Sequence, residues 1–389
     1  MRVWVVAGGT GGHFYPALAI AEEMENRIPG IMMNFAVSRR GLEARVLSSN
    51  DRPYKTLMVE GFHRREVFRN LLFPFRTVVG LLQSIREVIR FRPNVAFGTG
   101  GFVSGPGLLA AWCMGVPIAL IALDALPGVT IRMLAPIARK VYVTNLQAAE
   151  HFGKRINVEV VGTPVRPTEP MGRRAARERL ELPFEATILF VTGGSNGSDA
   201  LNGAVSGALR ALMEIPGLTI LWQTGPGMLE EVTSTVNATF NNQSEIDGKR
   251  VVLHPYIDDM AAAWLASDMA LCRAGASTIA ELSLYGVPSI LVPLATAAGG
   301  HQEANALAMV KAGAARLIPE DELSWDRLRR DIEVVMAGEG FLEKMAEAAA
   351  LKSESGGTSR VAEGLVSIAR WLSDTKRAEM LELLKSADQ

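Results

Sequence analysis

Only two cysteines, Cys113 and Cys272, occur in 389 residues, far apart and amid apolar neighbours. That scarcity excludes a disulfide framework and a cysteine-built metal centre, and it reads as buried thiols of a reducing compartment. No His-Glu-x-x-His, Cys-x-x-Cys or Asp-x-Asp grouping is present, so no cofactor or metal is called for. Charge is missing from one long stretch, Pro93 to Leu123, which by length alone suggests a membrane span. Its three prolines (Pro93, Pro106, Pro117) and the run Gly98-Thr99-Gly100-Gly101 argue instead for a strand, a glycine loop, a buried helix and a second strand. The first strand, beginning at Arg2, runs directly into a glycine loop, so no signal peptide is expected ahead of it.

What is present describes a soluble globular protein, with 48% hydrophobic and 21% charged residues in a chain long enough for two domains. The net charge of -1 conceals an asymmetry. Residues 1–163 carry 19 Lys and Arg against 11 Asp and Glu, a balance of +8; the remainder carries 21 against 30, a balance of -9. A basic amino-terminal half calls for an anionic partner there.

Short apolar runs alternate with helical patterns in both halves, the signature of parallel α/β sheets. Strands are expected at Val3–Ala7, Met33–Val37, Val95–Gly98, Ile118–Ile121 and Lys140–Thr144. A second set is expected at Ile188–Thr192, Thr219–Gln223, Val251–His254, Met269–Cys272 and Ser289–Val292. The segment Val161 to Pro167, with two prolines, divides the sets as a stiff linker. The fold class is therefore α/β, two Rossmann-like domains with parallel sheets facing a cleft, where ligands of such sheets bind. The boundaries fall at 1–163 for the first domain and 164–357 for the second.

Three glycine loops follow strands. Gly8-Gly9-Thr10-Gly11-Gly12-His13 precedes a helix expected from Pro16 to Met24; Gly98 to Pro106 and Gly193-Gly194-Ser195-Asn196-Gly197 are the others. One such loop is equally well a tight βα turn. Three of them favour a diphosphate ligand, because glycine lets the backbone approach an anion and a helix amino terminus offers unpaired N–H groups. None ends in the Lys-Ser/Thr of a P-loop, which speaks against ATP hydrolysis. The densest signal lies further on, in Arg273-Ala274-Gly275-Ala276-Ser277-Thr278-Ile279-Ala280-Glu281 and His301-Gln302-Glu303-Ala304-Asn305. Ser277 can cap the following helix. Glu281 then lies about one turn inside it, where a carboxylate can accept two ribose hydroxyls, and Gln302 offers a donor and an acceptor to a sugar. Singly, each of these residues reads as a solvated helix position; the ordered set does not.

Together these segments, with Ile257-Asp258-Asp259-Met260, resemble the MurG family over nearly the whole chain. The resemblance implies the GT-B fold, with a final helix near 358–374 crossing back to the first domain. It also implies transfer of N-acetylglucosamine from UDP-N-acetylglucosamine to undecaprenyl-pyrophosphate-linked muramoyl pentapeptide, on the cytoplasmic face of the membrane. By that match Thr10, Gly11 and Gly12 meet the donor pyrophosphate or the acceptor, and Arg166 and Ser195 attend the phosphates. Ile257 brackets the uracil, Ala276 to Glu281 hold the donor with Glu281 on the ribose, Gln302 reads the sugar, and His13 is the candidate catalytic group. The chain departs from the family's His-Glu-Gln-Asn run, carrying Ile121-Ala122-Leu123-Asp124 there. The donor half is intact, and the acceptor side is altered.

Inverting transfer needs a base for the acceptor hydroxyl. His13 and Asp124 are the candidates, with Asp124 acting either as base or as the partner that orients His13, or else capping the following turn. Between Phe62 and Arg92, seven arginines are interleaved with bulky apolar residues. Arg64, Arg65, Phe68, Arg69, Leu72, Phe73, Phe75 and Arg76 are expected to form a patch for an anionic membrane surface, and Leu81, Leu82, Ile85, Val88 and Ile89 to pack on the sheet. Nucleic acid is not expected, because the basic cluster is small and the second half acidic. Two other function classes fit the architecture less well: a non-catalytic nucleotide-sugar-binding protein and a sugar-nucleotide epimerase. A third alternative is a related transferase with another lipid-linked acceptor.

Overall fold

The computed structural model describes residues 1–9, 11–39, 42–60, 73–166, 171–240, 250–297, 300–337, 340–351 and 356–370. It divides into two compact units, Met1–Pro167 with Glu354–Gln389, and Thr168–Ser353. These divisions lie a few residues from the boundaries at 163/164 and 357, and they group Val165 and Arg166 with the amino-terminal unit.

The amino-terminal unit is built on seven parallel strands: β1 (Arg2–Val6), β2 (Met32–Ser38), β3 (Tyr54–Leu57), β4 (Val95–Gly98), β5 (Ile118–Ala122), β6 (Lys140–Val143) and β7 (Val158–Val160). Their order across the sheet is β3-β2-β1-β4-β5-β6-β7. Val3 to Val6 are fully buried, as a strand covered on both faces requires. Val6 is registered against Ala36 on one side and Gly98 on the other, so the loops after β1 and β4 emerge side by side. The strand order reverses at that junction, and there the crevice of a doubly wound sheet opens.

Helix α1 (Gly11–Arg27) follows β1 and begins at Gly11, earlier than the expected start at Pro16, so His13 stands in its first turn. Helix α2 (Leu42–Ser49) follows β2, α3 (Phe73–Phe91) precedes β4, α4 (Gly101–Cys113) follows β4, and α5 (Val129–Leu134) follows β5. Residues 357–370 form a helix that rejoins this unit. Thr358 donates its hydroxyl to the Val165 carbonyl at 2.7 Å, and Arg360 donates to the carbonyls of Val160 and Val161.

The carboxy-terminal unit carries six parallel strands: β8 (Thr187–Thr192), β9 (Leu218–Gln223), β10 (Val251–His254), β11 (Met269–Cys272), β12 (Ser289–Leu291) and β13 (Ala315–Leu317). Their order is β10-β9-β8-β11-β12-β13, so the reversal falls between β8 and β11. Helices α6 (Asp199–Met213), α7 (Met260–Ala266), α8 (Ala276–Tyr285) and α9 (His301–Lys311) follow β8, β10, β11 and β12.

Two expectations are corrected here. Cys272 is buried, and burial pushes its thiol up, whereas Cys113 is exposed at the end of α4. Leu82 and Ile89 do not pack on the sheet. The inward face of α3 is made by Gly80, Ser84 and Val88, because Gly80 lies close against Val59. Phe75, Val78, Leu82 and Ile89 point outward, at 66%, 54%, 61% and 57% exposure. At about 100° per residue these four share one helix face with Arg86, which is also exposed. Among the described residues, no helix is long and apolar enough to cross a membrane.

Candidate active site

In the amino-terminal unit the first two glycine loops interlock. Gly101 has φ +75° and packs against the Gly8 carbonyl so closely that a Cβ there has no room. A Cβ on Gly9, at φ +104°, would lie 2.8 Å from the Phe102 ring. These glycines serve the approach of backbone to backbone and backbone to ring, in addition to any approach of a ligand. His13 spans the junction. Its Nδ1 lies 3.0 Å from the Thr99 carbonyl oxygen, and the Thr99 hydroxyl donates to the His13 carbonyl at 2.6 Å. A carbonyl can only accept, so Nδ1 carries the proton and Nε2 is the basic nitrogen of the neutral ring. The Thr99 carbonyl therefore orients the His13 ring.

Asp124 sits just past the end of β5, half-buried in a bend, and is held by no hydrogen bond or ion pair to another described residue. The three residues before it, Ile121, Ala122 and Leu123, are 0%, 3% and 4% exposed. These three residues are core. Ile131 of α5 approaches the same glycine loop, 3.7 Å from a Cβ placed on Gly100.

Arg166 is engaged elsewhere than at a glycine loop. Its guanidinium makes a two-pronged ion pair with Glu22 of α1, Nε to Oε2 at 2.7 Å and Nη2 to Oε1 at 2.5 Å. Gly11 and Gly12 open α1, half-buried and exposed. Thr10, Arg64, Arg65, Phe68, Arg69 and Leu72 lie outside the described residues, and Phe73 opens α3. Arg76 is half-buried and ion-paired with Glu60.

In the carboxy-terminal unit the third glycine loop and the Arg273–Glu281 segment both emerge at the reversal, after β8 and β11. The backbone N–H of Gly194, at φ +92°, is received by the Thr192 hydroxyl at 3.1 Å, and Ser195 stands half-buried in the turn that follows. A residue that the sequence reading passed over holds this loop. Gln223, 2% exposed at the end of β9, donates Nε2 to the Gly194 carbonyl and the Thr192 hydroxyl, both at 3.0 Å. Its Oε1 accepts the Ile257 N–H at 2.9 Å. One amide thus joins the Ser195 turn to Ile257, whose own side chain is 4% exposed in the core.

Helix α8 begins after Gly275, and no side chain caps it, so Ser277 is a first-turn residue and not the cap expected of it. Ala276, Ser277, Thr278, Ile279 and Ala280 are all half-buried. Glu281 lies one turn further in and accepts the Trp264 indole N–H at 2.8 Å. Burial pushes the Glu281 carboxyl up to about 7, against the lowering pull of that hydrogen bond. Arg273, at the end of β11, donates to the Ser198 hydroxyl at 2.8 Å, to the Val292 carbonyl at 3.2 Å and to Glu320. Burial alone would raise the Glu320 carboxyl, but the Ala295 N–H and Arg273 outweigh it and hold the group low. Gln302 accepts the Leu294 N–H at 3.0 Å, which orients its amide so that the side-chain N–H groups are directed away from that contact and available to a sugar. Asn305 donates to the Ala274 carbonyl at 3.0 Å. Among the described residues no three His, Cys, Asp or Glu side chains gather as metal ligands do.

Comparison with known proteins agrees over both units. Residues 3–143 match the glycosyltransferase family 28 N-terminal domain, and residues 188–361 match the glycosyltransferase family 28 C-terminal domain. The UDP-N-acetylglucosamine--N-acetylmuramyl-(pentapeptide) pyrophosphoryl-undecaprenol N-acetylglucosamine transferase of Desulforudis audaxviator is 41% identical, over 83% of this chain and 87% of that one. The enzyme of the same name from Moorella thermoacetica is 38% identical, over 90% and 94%. The crystal structure of Acinetobacter baumannii MurG is 28% identical with a TM-score of 0.70, covering 94% of this chain and 99% of the other. The chain belongs to the MurG family, glycosyltransferases of the GT-B fold.

Proposed function

We propose that the protein transfers N-acetylglucosamine from UDP-N-acetylglucosamine to the C4 hydroxyl of muramoyl-pentapeptide-pyrophosphoryl-undecaprenol, with inversion, at the cytoplasmic membrane face. The donor lies along α8. Its diphosphate takes the first-turn N–H groups of α8 and the turn holding Ser195, and Arg166 adds charge. Glu281 accepts the ribose hydroxyls, Ile257 flanks the uracil, and Gln302 donates to the sugar. His13 is the base. As the C4 oxygen bonds to the anomeric carbon, its proton passes to Nε2, the bond from the anomeric carbon to the phosphate oxygen breaks, and UDP leaves with the electron pair. Thr99 holds the ring through Nδ1, so the basic nitrogen needs no second carboxylate to define it.

The observation that carries this reading is Glu281, a half-buried carboxylate one turn inside a helix whose amino terminus no side chain caps. The acceptor's lipid tail requires a docking face, and the outward stripe Phe75, Val78, Leu82 and Ile89, with Arg86 on the same face and Arg90 beside it, supplies apolar contact and positive charge together. The test is UDP release by purified protein with and without a lipid-linked muramoyl-peptide analogue. Release that requires the analogue supports transfer; binding of UDP-N-acetylglucosamine without turnover on any lipid acceptor points to a binding protein that has lost the reaction.

A second reading, a related lipid-linked acceptor, is favoured by one observation. The residues replacing the family's polar run are buried, which leaves Asp124 alone to face the acceptor. It predicts turnover with a polyprenyl-pyrophosphoryl sugar lacking the peptide at a rate equal to or above that with the pentapeptide.

A further inference from the structure

Glu43 is a buried carboxylate, 1% exposed, that takes no part in the chemistry described above. It stands in the first turn of α2, where the helix dipole favours an anion. Its Oε1 accepts the Gly9 N–H at 2.7 Å, and the Ser38 hydroxyl reaches Oε2 at 3.4 Å. A Cβ on Gly8 would lie 3.2 Å from the same Oε1, so carboxylate and loop backbone are in close register. Burying a carboxyl group is unfavourable unless hydrogen bonds compensate, and here the principal bond is spent on one loop amide.

Gly8 and Gly9 are thus held from both sides. Glu43 grips them from β2 and α2; Phe102 and Gly101 of the second glycine loop close on them from β4 and α4. Four residues after Gly9 comes His13, which the second loop grips through Thr99. The direction of the Gly9 amide therefore sets where α1 starts and where the imidazole sits.

We propose that Glu43 is the positioning residue of this site: it fixes the first glycine loop so that His13 Nε2 meets the acceptor hydroxyl. The proposal rests on the reading of His13 as the base. What matters is an acceptor oxygen at that place, not the negative charge, and two conservative variants separate the alternatives. Glu43→Gln keeps an oxygen opposite Gly9 and loses the charge. Glu43→Asp keeps the charge and withdraws the oxygen by one methylene, about 1.5 Å.

The experiment is steady-state transfer to the lipid-linked analogue, with UDP calorimetry and hydrogen exchange of the Gly9 amide on the same proteins. Expected is kcat within about threefold of wild type for Glu43→Gln and at least tenfold lower for Glu43→Asp. The donor KM and the UDP affinity should stay within twofold in both, and the Gly9 amide should be protected in wild type and Glu43→Gln alone. Glu43→Asp as active as wild type, Glu43→Gln as impaired as Glu43→Asp, or loss of UDP binding alongside kcat overturns it. Should wild type itself transfer nothing, the transferase reading fails and the Gly9 exchange pattern decides the clamp by itself.

Discussion

Glu281 ties stability and binding to the same proton. Its carboxyl rises from an ordinary 4.5 to about 7 on folding, so the folded state holds the proton more tightly than the unfolded state does. The stabilising contribution of that proton is complete below about pH 4.5 and is lost as pH rises through 7. Above 7 the buried charge costs on the order of 3 kcal/mol. Glu281→Gln is expected to raise the melting temperature at pH 8 and to leave it unchanged near pH 4.5, by calorimetry. On the proposed ribose contact binding runs the other way, because that contact needs the carboxylate. UDP affinity should weaken about tenfold between pH 8 and pH 6, and Glu281→Gln should flatten that dependence; a wild-type affinity independent of pH contradicts the ribose role. Glu281 was legible in the sequence because an acid one turn into a helix after a glycine-rich strand end is a pattern. Glu43 and Gln223 were not. Each acts on backbone amides and carbonyls brought near by folding, and nothing in a linear string marks an amide as the partner of a residue some thirty positions away.

At the level of elements, the strands covered on both faces were visible as unbroken apolar runs. The three overlooked, β3, β7 and β13, are all sheet edges, short and partly exposed, and their Lys55, Glu159 and Arg316 interrupt the apolar signal. Helix α3 shows the converse. Its apolar residues have the spacing of a core-facing helix, yet the inward face belongs to Gly80, Ser84 and Val88, a choice made by the close packing of Gly80 on Val59. Phe75→Asp combined with Leu82→Asp should lower binding to vesicles containing anionic lipid at least tenfold in a sedimentation assay, with UDP affinity unchanged. An unchanged vesicle affinity removes α3 from the membrane. Between the loops of the second unit, Gln223→Leu breaks three hydrogen bonds at once. It should raise the donor KM about tenfold while kcat at saturating donor stays within threefold, as measured by initial rates; equal KM values contradict a role for that amide in the donor site.

Across the whole molecule, positive charge collects in residues 1–163 and negative charge in the rest. Attraction of that basic half to an anionic surface is screened by salt, so vesicle binding should fall steeply between 0.05 and 0.5 M sodium chloride while UDP binding changes less. The two reversals of strand order, β1 beside β4 and β8 beside β11, put the glycine loops at the strand ends of each sheet. The proposed reaction reduces to one bond made and one broken at the sugar's anomeric carbon. The most direct test is the linkage in the product. Magnetic resonance of the lipid-linked analogue after reaction should show one added N-acetylglucosamine joined through a β bond to C4 of the muramoyl sugar, with His13→Ala slowing its appearance by about 10²–10⁴. An α linkage, a different hydroxyl, or an unmodified acceptor beside consumed donor contradicts the account.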